Sequence, residues 1–459
     1  MKKSIRFTAF LLALILIITA FSGCAGVESG GDDEPTIELT GAQQKWVSMF
    51  GEKYVTERAA YEKEHNPYNV PEELKGTTVK FATWIDHNTT EAKYPMSTFE
   101  KVTGIKVEWV DIPSETYVDK LASLIASGDS PDVYVENNAF FPKTLTISKP
   151  LNEVKSIDMN DPIWDKGYFD YTTFNGKTYQ CNTVNSVWQT VNLIFYNKKV
   201  FEENGLTTPD EYIEQGEWTF DNFIKTLKEY CSLNSSYRGG AGLTHYYAKA
   251  YGTDIVYMKD GKFVSGLNDS QFTNIYEKTL RLYEENILGG TMGAFMKGTN
   301  ASYVTDSYGL KKSGYFKGSD PETFGYAPIP VDEGMDAKVS SHYRAYGILS
   351  GAKNPEGAGY FLRYFLDPYN YNWDDIFLDE AAKEFYLKNC ASVPFEDKQF
   401  SYNTCLTSLM GYSGYEGIYK WDLAINRASV SQWQVVASSI SNEVDSAVQK
   451  ANDIIASLN

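Results

Sequence analysis

The stretch from Gly76 to Asn138 limits the fold more than any other part of the chain. It begins "GTTVKFATWID", where a turn residue leads into a β-rich run from Val79 to Trp84. "STFEKVTG" reads as the end of a helix closed by Gly104. In "IKVEWVDI", Ile105, Val107 and Trp109 alternate with polar positions, as on a second strand. "ETYVDKLASLIASGDS" puts Tyr117, Leu121, Leu124 and Ile125 on one helical side, and "PDVYVENN" supplies a third strand. Strand, helix, strand, helix, strand is the rhythm of a parallel α/β sheet. With 459 residues the chain exceeds one ordinary core, so two lobes are expected.

Upstream, Trp46, Phe50 and Tyr54 recur four apart, with Val47 and Tyr61 near the same stripe. This predicts one helix over residues 43–65, stopped by Pro67 and Pro71. Further upstream, "MKKSIR" precedes the uncharged "FTAFLLALILIITAF", which reads as an export signal. The run is short for a membrane span, which needs about 20 apolar residues. Its ending "FSGC" resembles the bacterial lipobox, although Phe21 stands where Leu is commoner, and this implies cleavage after residue 23 and acylation of Cys24. The polar, Gly-rich "AGVESGGDDEPT" that follows suits a flexible tether over residues 24–40. Net charge is −18 and becomes more negative once Lys2, Lys3 and Arg6 are removed, which argues against nucleic acid and anionic lipid as partners. Aromatic residues make up 15% of the chain, and flat rings with polar tips are what a sugar-binding surface needs.

The order of elements resembles the bacterial extracellular solute-binding proteins of family 1, the group of ABC-importer components that includes maltose-binding proteins. "TFEKVTGIKVEWV", "LASLIASGDSPDVYV", "FNGKTYQCNTVNSVWQTVNLIFYNKKVFEENGL", "GEWTFDNFIKTLKEY", "MKGTNASYVTDSYG", "FGYAPIPVDEG" and "YRAYGILSGAKNPEGAGYFLRYFLD" follow one another as that family's elements do. The resemblance implies an α/β fold, the two-lobed periplasmic-binding-protein fold of type II, with hinge-linked lobes and a cleft between them. It implies a first lobe of residues 75–190 plus 327–368 and a second of 191–324 plus 369–459. Residues 41–72 form an N-terminal helical extension with no counterpart in that pattern. The implied function is capture of a carbohydrate by a lipid-anchored monomer that delivers it to ABC permease subunits in the membrane, with no catalysis and no cofactor. A secreted carbohydrate-active enzyme and a surface sensor or adhesin are the alternatives, and a peptide or polyol ligand stays open.

Ligands of open α/β sheets sit beyond the carboxyl ends of the strands. That points to Trp84 and Asp86 after the first strand and to Asn137 and Asn138 after the third, whose amides both donate and accept. The resemblance adds Trp188 before the hinge, Tyr308 where the family often carries a stacking Trp, and Trp433 in the C-terminal helix. It adds Tyr343 and Arg344 in "SHYRAYG", and Tyr246. Seven of these have a structural alternative: core or hinge packing for Trp84, Trp188 and Trp433, turn for Asp86 and the two asparagines, a surface ion pair for Arg344.

Competing chemistry fails on spacing. "NGKT" at 175–178 would need Gly in place of Tyr171 to complete a phosphate loop, and "GYSGY" has Tyr415 where the hydrolase elbow needs Gly. His65, His87, His245 and His342 lack metal-ligand spacing, so no metal is expected. Cys181, Cys231, Cys390 and Cys405 allow three disulfide pairings or none, with Cys390–Cys405 the first to consider. The anchor is directly testable. Cys24→Ser is expected to block signal processing or release the protein from the membrane fraction, and mass spectrometry of the mature wild type should find lipid on Cys24.

Overall fold

The computed structural model describes residues 39–137, 139–242, 244–412, 416–417 and 419–458. Cys24 and its tether up to residue 38 lie outside them, and so does Asn138. Residues Gly41–Asn459 form one unit built on two separate sheets.

The first sheet carries out the expected rhythm. Strand Thr78–Thr83 pairs in parallel with Lys106–Asp111 on one side and with Val133–Asn137 on the other. The linking helices Thr90–Thr103 and Tyr117–Ser127 both end at glycines with left-handed backbone, Gly104 and Gly128, where a side chain would strain the turn. Strand Arg344–Leu349 joins antiparallel to Val133–Asn137, and the short Ser148–Lys149 completes the sheet. Helix Pro355–Leu366 packs on this sheet through Phe361 and Phe365, whose rings meet Phe81.

The second sheet centres on Thr190–Asn197, buried along nearly all its length. Asn300–Asp306 runs antiparallel on one side of it, followed outward by Arg238–Ala241. On its other side lie two strands end to end, Phe324–Pro328 at one end and Val339–His342 at the other, with Lys398–Phe400 beside the latter. The expected start of the return crossing at residue 327 is therefore corrected. Both of those strands belong to the second sheet, and the chain enters the first only at Arg344, so Tyr343 alone separates the sheets on this strand.

The N-terminal region is also corrected. The stripe over 43–65 is two helices, Gly41–Phe50 and Glu52–His65, broken at Gly51 with φ 84°. Their apolar side stacks on the segment after helix Pro355–Leu366: Trp46 lies 4.7 Å from the Tyr369 ring, and Phe50 meets Trp373 edge-on at 5.5 Å. Beneath them Arg58, 2% exposed, holds Asp367 bidentately at 2.7 and 2.5 Å. Tyr68 donates to the same carboxylate, and Arg363 bonds Asp161 at 2.6 Å and Glu62 at 3.3 Å.

The four described cysteines are free thiols, so no Cys390–Cys405 bridge forms. Cys181, Cys390 and Cys405 are buried, and burial pushes their thiols up, which keeps them protonated and inert.

Burial alone would raise the Asp367 carboxyl, but the guanidiniums of Arg58 and Arg363 overcome it and hold the group below its usual range. A depressed carboxylate stabilises the fold above its unfolded pKa and loses that contribution as pH falls. Arg58→Ala should cost about 3–5 kcal/mol in urea denaturation at neutral pH, since it strands a buried carboxylate. Unchanged stability would show that Arg363 alone neutralises Asp367.

Candidate ligand-binding cleft

The carboxyl ends of the three parallel strands share one edge of the first sheet, and a cavity of about 640 Å³ opens there. Three loops of the first sheet line it: Trp84 after the first strand, Ser114–Thr116 after the second, and Ala139 and Phe140 after the third. The facing wall belongs to the second lobe and consists of Tyr315, one side of helix Asn403–Leu409, and Tyr419. This volume is in the range of small-molecule sites.

Aromatic rings stand on both walls. Trp84 leaves the strand at Thr83 and meets Tyr117 edge-on at 4.9 Å and Phe140 at 5.3 Å. Tyr117 is the support beneath: its hydroxyl donates to the Ala82 carbonyl at 2.7 Å and accepts from the Val135 amide at 3.0 Å. That pair of bonds ties two strands to the helix that starts at the cleft. Across the gap, Tyr315 is 45% exposed, and its hydroxyl donates to Asp306 at 2.9 Å. Such rings cover the apolar face of a pyranose while serine and threonine hydroxyls bond its own hydroxyls.

Arg344 is not part of the cavity lining but lies beside its first-lobe wall. It pairs with Asn137 at the cleft edge of the first sheet, and its guanidinium lies 5.5 Å from the Trp84 ring. Its Nε is buried and bonds no protein acceptor. The Asp306 carboxyl of the second lobe is held above its usual range by burial, against the hydrogen bonds from the Tyr308 amide and the Tyr315 hydroxyl and the charges of Arg344 and Lys311. The lobes also touch directly: Ser313 donates to Glu91, which is 2% exposed, at 2.8 Å.

The other expected site residues fall elsewhere. Asp86 is exposed and accepts from the backbone and side-chain nitrogens of Asn88, the bonding of a turn residue. Asn137 closes the third strand. Trp188 is buried, stacks 5.4 Å from Phe365 and donates to the Tyr371 hydroxyl. Tyr308 donates to the Ser313 carbonyl and braces Tyr315 edge-on at 5.3 Å, one layer behind the wall. Tyr343 is fully buried, with its hydroxyl on Gln180. Tyr246 is half-buried between His245 and Lys249. Trp433, 2% exposed, packs beside Phe272 and donates to Glu277, away from the cleft lining. Sequence reasoning passed over Phe140, Tyr315 and Tyr419. Phe140 stands in the quoted "VENNAFF", where the asparagines drew the attention; the other two carry no local signal.

Trp433→Ala should therefore behave as a core truncation, losing about 3–5 kcal/mol of unfolding free energy. Calorimetric titration of the same variant with a ligand found by screening should give near wild-type affinity. Lost affinity with normal stability would return Trp433 to the site.

The two-sheet architecture has close counterparts among solved structures. The GacH receptor of Streptomyces glaucescens, solved unliganded and with acarbose, aligns with TM-score 0.60 at 16% identity, covering 80% of this chain and 98% of its own. The cyclic alpha-maltosyl-1,6-maltose binding protein of Arthrobacter globiformis aligns with TM-score 0.60 at 17% identity, over 83% and 99%. An extracellular solute-binding protein of Staphylococcus aureus, solved with maltose, gives 0.53 at 13%, over 83% and 98%. No curated protein matches the sequence. At these identities the structures establish the fold, which is the two-lobed fold of periplasmic sugar-binding proteins. The family model for bacterial extracellular solute-binding proteins matches residues 86–371, more than half of the chain, and the chain belongs to that family.

Proposed function

We propose that this protein is the lipid-anchored substrate-binding component of an ABC importer, taking an oligosaccharide into the interlobe cleft and handing it to a membrane permease. The observation that carries the reading is the pairing of aromatic walls: Trp84 and Phe140 on one lobe face Tyr315 and Tyr419 on the other across about 640 Å³. A sugar held between them has its apolar C–H surface withdrawn from water on both sides, and the Arg344 guanidinium lies 5.5 Å from the Trp84 ring that forms one of those sides. The acarbose, cyclic maltosyl-maltose and maltose bound by the structural counterparts fit the same ligand class. Closure of the hinge around the sugar would then present the rims of both lobes to the permease.

A thermal-shift panel of oligosaccharides, monosaccharides, polyols and short peptides tests the reading, because a tight ligand raises stability by mass action. Stabilisation by an oligosaccharide supports it; stabilisation only by a peptide or polyol redirects it; release of cleaved sugar during incubation makes the protein an enzyme. With the sugar in hand, Trp84→Ala should weaken binding by about 1–3 kcal/mol in calorimetry, the scale of one large aromatic contact.

A further inference from the structure

Behind the second-lobe wall of the cleft lies a buried group of ionisable side chains for which sugar binding has no use. Asp254 and Asp422 are 0% and 4% exposed. Both accept from the same nitrogen, Nδ2 of Asn403, each at 3.0 Å. Two carboxylates on one donor in a dry interior cannot both stay charged cheaply. The Ile255 amide also donates to Asp254 Oδ1 at 2.7 Å, but this leaves the second oxygen unmatched. Asp254 Oδ2, His245 Nδ1 and Tyr276 Oη are buried without hydrogen-bond partners. His245 Nδ1 is 3.8 Å from Asp422, yet burial and the Lys249 charge keep the ring neutral.

The charged and titratable groups facing the pair can be named. Helix Thr244–Ala250 contributes His245, Tyr246 and Lys249, and helix Ser270–Glu284 contributes Tyr276. The second sheet contributes Asp306 and His342, the latter kept neutral by burial and Lys249. Lys249 is the cation nearest to balancing the pair, and its ammonium bonds Asn192 at 2.7 Å and the Ser341 carbonyl at 3.2 Å rather than either carboxylate. Both of those acceptors lie on the strands that lead into the hinge.

We propose that Asp254 and Asp422 form a proton-binding switch, in which protonation of one carboxyl removes the repulsion across Asn403 and lets that amide hold the helices Asn403–Leu409 and Lys420–Asn426 together, while loss of the proton loosens the second-lobe wall of the cleft. Asn403 opens the first helix, whose next turns carry Thr404, Cys405, Ser408 and Leu409 into the cavity. Tyr419, another wall residue, directly precedes the second helix. Burial pushes both carboxyls up from the ordinary range toward neutrality, and the charge of Asp254 adds to the rise at Asp422. A raised carboxyl keeps its proton in the folded state after the unfolded chain has lost it, so the stabilisation is complete in acid and fades as pH rises. The consequence for sugar affinity rests on the proposed cleft; the switch itself does not.

Hydrogen exchange followed by mass spectrometry on the ligand-free full-length protein tests it at about pH 5.5 and about pH 8, corrected for the intrinsic chemistry of exchange. In the wild type, protection of residues 403–409 and 420–426 should fall about tenfold between the two, while helix Thr90–Thr103 of the first lobe holds steady. Asp422→Asn, which copies the protonated shape, should keep its protection at both values, and Asp254→Asn serves as the second variant. Wild-type protection that does not change with pH overturns the proposal by itself. So does an equal loss of protection in either asparagine variant. Because no ligand is present, failure of the sugar panel leaves this result standing, and failure here leaves the panel standing.

Discussion

Tyr343 sets the condition that the rest of the architecture has to meet. On the strand that returns between the lobes, Ser341 and His342 bond in one sheet and Arg344 bonds in the other, so a single residue carries the chain across. A crossing this short leaves backbone and side-chain polar groups inside the molecule, and each needs a partner. Tyr343 donates to Gln180, which in turn donates to Glu136 and to the Tyr134 hydroxyl. Thr144 closes the group on Glu136. The outward crossing is treated in the same way: the Tyr386 hydroxyl lies 2.8–3.1 Å from the carbonyls of Ser186, Val187 and Gln189, and Lys311 donates to Val187. With the crossings fixed by such bonds, the two sheets are joined on this strand by the single residue Tyr343.

The N-terminal helices belong to the same mechanical problem. They pack on the chain just after helix Pro355–Leu366, where it leaves the first sheet toward Tyr386 and the hinge carbonyls. Stacked rings alone would tolerate slippage, since aromatic faces accept many offsets. Arg58 removes that freedom: its fork fits Asp367 in one geometry while its face lies 3.5 Å from the Tyr369 ring. An ion pair buried this deeply contributes position more than net stability.

What the sequence made legible was local. The parallel unit could be read because each strand and helix writes its period into consecutive residues, and the positions after the strands led to Trp84. Period-two alternation left open whether Trp84 sat in the core; the strand ends one residue earlier, so its ring turns into the cleft. Arg344 was picked out through the resemblance of the polar turn before its strand, and it lies beside the Trp84 ring rather than in the cavity lining. Trp188 and Trp433 were read through family position, but in each case a helix or crossing neighbour, Phe365 or Phe272, takes the ring into packing. The second-lobe wall was hidden for another reason. Tyr315 and Tyr419 lie about a hundred residues apart and meet at the cleft only because the second lobe brings its turns to the same edge, which no window of sequence records. Gly51 shows the opposite error: a continuous stripe masked a break that only backbone geometry reveals.

A cleft divided between two lobes couples affinity to shape. Trp84 and Phe140 are fixed to the first sheet by Tyr117, and Tyr315 is fixed to the second by Asp306, so neither pair can follow a ligand unless its whole lobe moves. Under the proposed function, an open molecule would offer a sugar one wall and a closed molecule two. The second contact exists only in the closed state, and a ligand shifts a conformational equilibrium by its differential affinity and by nothing else. If the second wall is worth about 1–3 kcal/mol, it multiplies the closed-to-open ratio by roughly 5- to 150-fold. The contact between Ser313 and Glu91 acts in the same direction without any ligand, because it joins the lobes beside the hinge.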